Sequence, residues 1–181
     1  ELSPGAAPLL DKHAFNVVYL DRVEHTAGTT YLSGEPVPVD IVMGNQLLDE
    51  VLTHGAYSYL VSSHVIEHVP DFIRFFLSAR AVLRVGGKIV MYVPDRRYTF
   101  DFPRRDSTLE DIRQAHELAL RAPTRDMVFD YHLNCDFDAR AEDIWAGTYV
   151  MHRSHTLEEA SHIAASADLG TTDVHCFTFT P

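Results

Sequence analysis

The densest run of reactive side chains in the sequence is SSHVIEHV, in which His64, Glu67 and His68 stand three and one residues apart. Imidazoles placed this way are general-base candidates for proton transfer. The same residues spell HxxEH, the inverted zinc-peptidase pattern, with Glu142 at a distance from which a third ligand can come. Zinc ligation by two histidines four apart requires both on one face of a continuous helix. Pro70 and the strand-like YLVSS argue against such a helix, because proline is comfortable only in a first turn. No metal ligand set is therefore assigned. His68, at the start of a helix, also suits a structural hydrogen-bonding role, and Glu67 can orient a histidine or cap the helix.

A second constellation lies near the beginning. ELSPG is followed by a short connection and a strand that ends in Asp21. A glycine after a strand lets backbone approach a ligand closely, and a carboxylate ending the next strand can accept two ribose hydroxyls. A proline-glycine turn followed by a strand-ending aspartate is the plainer reading of the same residues. Arg96, Arg97, Arg104 and Arg105 form a positive group suited to an anionic acceptor, or simply a solvated charge run. His132, His152 and His155 are scattered among aromatic and acidic residues and read as ordinary polar groups.

The elements that would position these residues alternate between strand and helix through the first half, the pattern of a parallel sheet covered by helices. FNVVYLD (15–21), VPVDIV (37–42), YSYLVSS (57–63) and KIVMYV (88–93) read as strands. QLLDEVLTH presents one apolar helical face. From Asp71, residues Phe72, Phe75, Phe76, Ala79, Val82 and Leu83 recur at helical spacing up to the Gly86–Gly87 pair. Beyond residue 98 the alternation stops. Ser107 and Glu110 predict a capping box before a helix, the rest to about 150 is irregular, and Thr156 with Glu159 predicts a second capped helix. VHCFTFT is expected as a last strand.

Strand, SSHVIEHV, amphipathic helix, RVGG, strand and VPD in this order over 57–95 resemble the class I S-adenosylmethionine-dependent methyltransferases. The likeness covers roughly residues 1–101. It implies an α/β, Rossmann-like fold, a mostly parallel sheet flanked by helices, with a helical or irregular insertion after the fifth family strand. It implies one domain: a cofactor-binding core (1–97), an insertion or lid (98–154), and a C-terminal helix with a strand (155–181). By position, Glu1, Ser3 and Gly5 correspond to the cofactor loop and Asp21 to the ribose carboxylate. Gly44 and Asn45 correspond to the adenine turn, Asn45 standing where an aspartate is common. Ser63 and His64 fall beside the reacting methyl group, and His64 and His68 are the base candidates. Asp95, Arg96 and Tyr98 lie on the substrate side, as does His175 in its FTP-like turn.

The implied cofactor is S-adenosyl-L-methionine and the implied acceptor a small molecule or glycan. Two alternatives are a catalytically inactive methyltransferase-like binding or regulatory module and, behind it, the zinc peptidase. Against the family pattern the chain reads as truncated at both ends. Sheet edges exposed in that way favour covering by another chain, of which a homo-oligomer is one form, or instability.

Bulk properties set the remaining bounds. With 181 residues, 46% of them hydrophobic, the chain can bury one substantial core. Its 15 basic and 26 acidic residues give a formal charge of −11, which disfavours nucleic acid and anionic membrane surfaces. Eleven histidines reduce that charge at mildly acid pH. Cys135 and Cys176 have no paired spacing, so a reducing, cytoplasmic location is expected. No apolar run approaches the roughly 20 residues a membrane helix needs.

Overall fold

The computed structural model describes residues 1–24 and 34–181. The only long ladder in it joins β3 (Tyr57–Ser63) to β4 (Leu83–Tyr92) in parallel. Residues 57–63 form the strand that the apolar run predicts. β4 starts five residues earlier than expected, because the chain leaves the helix α2 (Phe72–Val82) and pairs at once, Leu83 with Tyr57. The next rung is Lys88 with Tyr59, so residues 84–87 bulge out of the ladder. Gly86 takes φ +79, and a Cβ on Gly87 would come within 2.9 Å of the Arg84 carbonyl oxygen. The two glycines thus serve a bulge within the strand, where the sequence reading has them close the helix.

Two shorter strands, β1 (Leu20–Asp21) and β2 (Ile41–Val42), also pair in parallel. Both are much shorter than the apolar runs that contain them. The Asp40 carboxylate accepts the Tyr19 amide at 2.7 Å, and the Tyr19 carbonyl takes the Asp40 and Ile41 amides, so side chain replaces ladder at that end. Leu2 makes isolated parallel bridges to Leu20 on one side and Ser62 on the other. The architecture is therefore mixed α/β with short parallel pairings. The helix α1 (Leu48–Val51) is fastened to α2 through Asp49, whose amide and carboxylate both bond the buried Ser78 hydroxyl at 2.8 and 2.6 Å.

The described residues form two compact units, Glu1–Val65 with Arg74–Tyr92, and Ile66–Ile73 with Val93–Pro181. Leu2, Leu20, Leu48, Leu60, Val61, Phe75, Ala79 and Val82 are buried in the first. The second is helical, with α3 (Leu109–Glu117), α4 (Arg125–Asn134), α5 (Ala141–Ala146) and α6 (Leu157–Ser166). Its core gathers Ala115, Val128, Ala164, Val174, Cys176 and Phe177. Full burial of a side chain such as Phe177 contributes about 1.5–3 kcal/mol.

Thr156 caps α6, its hydroxyl accepting the Glu159 amide while the Glu159 carboxylate accepts the Thr156 amide, as the sequence predicts. The α3 cap falls one residue later than predicted. Thr108 and Asp111 form that box, because the Ser107 hydroxyl is taken by the Thr178 amide at 2.9 Å. Residues 174–178 of VHCFTFT are buried, yet the segment forms no ladder strand among the described residues. Its backbone bonds single partners instead: Cys176 and Phe177 donate to the Glu67 carbonyl, and the Phe179 carbonyl accepts the Arg96 amide. No helix among the described residues is long and apolar enough to cross a membrane.

Candidate functional site

In the first unit, the residues that resemble a cofactor loop sit at the carboxyl ends of neighbouring parallel segments. Leu2 donates to the Val61 carbonyl at 2.9 Å and Ser3 to the Leu20 carbonyl at 2.7 Å, so backbone bonds hold this segment on both sides. Ser3 (φ +48), Gly5 (φ +55) and His64 (φ +53) then all turn into the left-handed region. For Ser3 and His64 such a conformation costs on the order of 1–3 kcal/mol and persists only where its surroundings enforce it. His64 is pinned by its amide to the Tyr92 carbonyl at 2.9 Å. Its Nδ1 meets the Ser63 hydroxyl at 3.0 Å.

Asp21 ends β1, buried, with one carboxylate oxygen accepting the Arg22 amide at 2.6 Å. The turn at Gly44 (φ +58) and Asn45 follows β2, held by Met43 and Gly44 amides on the Asp21 and Arg22 carbonyls. Glu1 behaves differently from the other members of its loop. Its carboxylate accepts the Leu9 and Leu10 amides at 2.8 Å each, so it fastens the loop from within.

The second unit brings Glu67 and His68 of the motif together with His175, an association that no sequence spacing reports. Ile66–His68 is a single 3-10 turn, and His64 precedes it in a left-handed conformation. HxxEH is therefore not one helix, and the helical zinc-peptidase geometry is absent. The Glu67 carbonyl accepts both the Cys176 and Phe177 amides, at 2.6 and 3.2 Å, which fastens His175 beside Glu67 and His68. The two imidazoles meet edge to face, their centroids 4.5 Å apart. One ligand-type atom from each of Glu67, His68 and His175 lies within 4.8 Å of the others.

Each histidine of the cluster is oriented through Nδ1. That of His68 bonds the Asp173 carboxylate at 2.9 Å, and that of His175 bonds Asp101 at 2.5 Å. Asp101 is itself buried and accepts from Arg104 at 2.8 Å and from the Cys135 thiol at 3.4 Å. Arg104 reaches Asp130 as well. Burial would raise the Asp101 carboxyl, but His175 and Arg104 offset it and hold the group below the ordinary carboxylate range. Burial pushes His175 down despite its carboxylate partner. The pair is a carboxylate with a neutral imidazole whose Nδ1–H donates to Asp101, so its Nε2 carries the lone pair.

Glu67 is the outlier. It is 1% exposed, and neither carboxylate oxygen has a hydrogen-bond partner among the described residues. Burial pushes its carboxyl up to about 7. Phe100 and Tyr131 enclose the cluster, with ring centroids 4.7 and 5.7 Å from that of His175.

The residues expected on the substrate side are engaged within this unit. Asp95 accepts the Arg97 amide at 3.0 Å and pairs with its guanidinium, while Arg96 pairs with Asp106 at 2.5 Å. Tyr98 lies 5.2 Å from Trp145, ring to ring. Arg104 and Arg105 are matched by Asp101 and Asp111, so all four arginines of the expected positive group carry a carboxylate partner. Asp101 and Asp173 are the site residues that sequence reasoning missed, and Arg104, read there as part of a positive group, turns out to be the partner of Asp101. Each stands far in the chain from the histidine it binds, Asp173 from His68 and Asp101 from His175, and only folding joins them. Compared with protein-family models, curated proteins and solved structures, the chain matches none.

Proposed function

We propose that the chain is a Rossmann-like, S-adenosylmethionine-dependent methyltransferase that acts on a small-molecule or glycan acceptor. The observation that supports this most is the order of parallel segments through Ile41, Leu20, Leu2, Ser62 and Met91. In chain order these are the third, second, first, fourth and fifth segments. The order reverses beside Leu2, and open α/β sheets bind ligands outside the carboxyl ends of the strands at such a reversal. Ser3, Gly5, Ser63 and His64 follow those ends. The ordered resemblance over residues 57–95 points to the same cofactor.

The donor set suits a nucleoside. Asp21 supplies a carboxylate for ribose hydroxyls, Gly44 and Asn45 a turn for the base, and Ser3 and Gly5 a left-handed backbone that lets a ligand come close. Glu1 contributes by holding that loop through Leu9 and Leu10. When bound, the cofactor supplies an electrophilic methyl group on a sulfonium. Methyl transfer is an in-line displacement, so the chain's task is alignment and, for a hydroxyl or amine acceptor, removal of a proton. In His64, Nδ1 meets the Ser63 hydroxyl, and in the tautomer in which Nδ1–H donates to that oxygen, Nε2 carries the lone pair that takes the proton.

Calorimetric titration with S-adenosylmethionine tests the reading. One site per chain is expected, with affinity lowered about tenfold or more in Asp21→Ala, the effect of losing charge-assisted hydrogen bonds. Binding without transfer to any acceptor in a broad panel would instead identify a regulatory module.

A further inference from the structure

We infer that Glu67, His68 and His175 form a binding site for one divalent transition-metal ion, held by two imidazole nitrogens and one carboxylate oxygen. The inference does not depend on methyl transfer. It starts from donor chemistry, because two imidazoles and a carboxylate are a ligand set that suits zinc and ferrous iron and leaves coordination positions open.

Three further observations point to the same occupant. Both histidines present Nδ1 to a carboxylate, His68 to Asp173 at 2.9 Å and His175 to Asp101 at 2.5 Å. That is the outer arrangement which fixes the tautomer of metal-binding histidines, directs Nε2 at the ion and raises its basicity. Glu67, 1% exposed, holds two carboxylate oxygens without a hydrogen-bond partner among the described residues, in a cluster whose other members are imidazoles. A buried carboxylate in that condition is costly unless it is paired or coordinates a cation. Finally, the cluster is closed by main chain. The Cys176 and Phe177 amides on the Glu67 carbonyl fix the two peptide segments to each other whatever the side chains do.

The spacing is compatible with this. Ligand atoms now within 4.8 Å of one another would have to reach the roughly 3.4 Å separation of a tetrahedral zinc site, an adjustment within the range of side-chain rotation. An ion held by three protein ligands keeps a fourth position for water or for an oxygen of a bound ligand, whose proton it makes easier to remove. Asp101 and Arg104 then form the outer shell. His64, the first histidine of HxxEH, is not a ligand in this arrangement.

The test is titration of the full chain, stripped with chelator, with zinc chloride alone, followed by calorimetry. Cobalt chloride is the spectroscopic probe, because its visible bands report coordination by nitrogen and oxygen. One equivalent is expected to bind saturably in the wild type. Glu67→Gln keeps size and shape and is expected to remove that binding, while Asp101→Asn is expected to weaken it by about 10- to 100-fold. Thermal unfolding of each metal-free variant separates ligand loss from fold loss, since Glu67→Gln removes a buried charge and is expected to unfold no earlier than the wild type. Absence of a saturable equivalent in the wild type would overturn the inference. So would unchanged zinc affinity in Glu67→Gln, because binding at other histidines of the chain does not need that carboxylate.

Discussion

Arg104 is the residue on which the electrostatics of the second unit turn, and Arg104→Met probes it most sharply. Its side chain is 4% exposed and bonds Asp101 at 2.8 Å and Asp130 at 2.8 Å. Asp101, equally buried, has no route to water, whereas Asp130 is partly exposed and can be rehydrated. Methionine preserves the stem and removes the charge, so the variant leaves Asp101 as a buried carboxylate with only the neutral His175 and the Cys135 thiol as partners. Breaking a buried pair by removing one member costs about 3–5 kcal/mol. Against a domain stability of roughly 5–15 kcal/mol, that is a large loss. Urea unfolding followed by circular dichroism measures it, with Asp101→Asn and the double variant completing a cycle. The double variant is expected to be more stable than Arg104→Met alone, because it no longer buries an uncompensated charge. Additive effects, with a coupling below about 0.5 kcal/mol, would refute the reasoning.

Asp111 is held well below the usual carboxylate range by the Arg105 guanidinium, aided by the Thr108 amide and hydroxyl. A depressed folded-state value contributes stability that is present above the unfolded pKa of about 3.9 and is lost as pH falls toward the folded value. The stability difference between wild type and Asp111→Asn, from urea curves at several pH values, is therefore expected to shrink below about pH 4. Thr156→Ala removes the α6 cap and is expected to cost about 0.5–2 kcal/mol by the same assay. Burial and the neighbouring Asp101 carboxylate push the Cys135 thiol far up, so a maleimide is expected to leave Cys135 unmodified in the native chain and label it after unfolding.

Where local periodicity and local chemistry decide the outcome, the sequence is a good guide. Residues 57–63 form a strand whose apolar middle is buried, Phe72, Phe75, Ala79 and Val82 mark a helix, and Thr156 with Glu159 makes the predicted cap. Where a tertiary partner competes, the reading slips. Asp40 intercepts the Tyr19 amide and shortens β1, and Thr178 takes the Ser107 hydroxyl and moves the α3 cap to Thr108. α4 was hidden because Met127, Val128, Phe129 and Tyr131 are interleaved with Asp126, Asp130 and His132, without one clean apolar stripe.

The site divides along the same line. His64, Glu67 and His68 are visible as a motif, and Pro70 with the preceding strand already argues against the continuous helix that the chain does not form. The association of His68 with Asp173, and of His175 with Asp101, depends on backbone bonds between segments remote in sequence, and no spacing rule reports them.

The central claim, a nucleoside cofactor held at the carboxyl ends of the parallel segments around Leu2, is tested most directly by amide chemical-shift mapping. The full chain, labelled with nitrogen-15, is titrated with S-adenosylhomocysteine, the demethylated product. Saturable shifts are expected at Ser3, Gly5, Asp21, Gly44, Asn45 and Ser63, and are expected to weaken together in Asp21→Ala. No shifts at saturating ligand, or shifts confined to residues 93–181, would contradict the account.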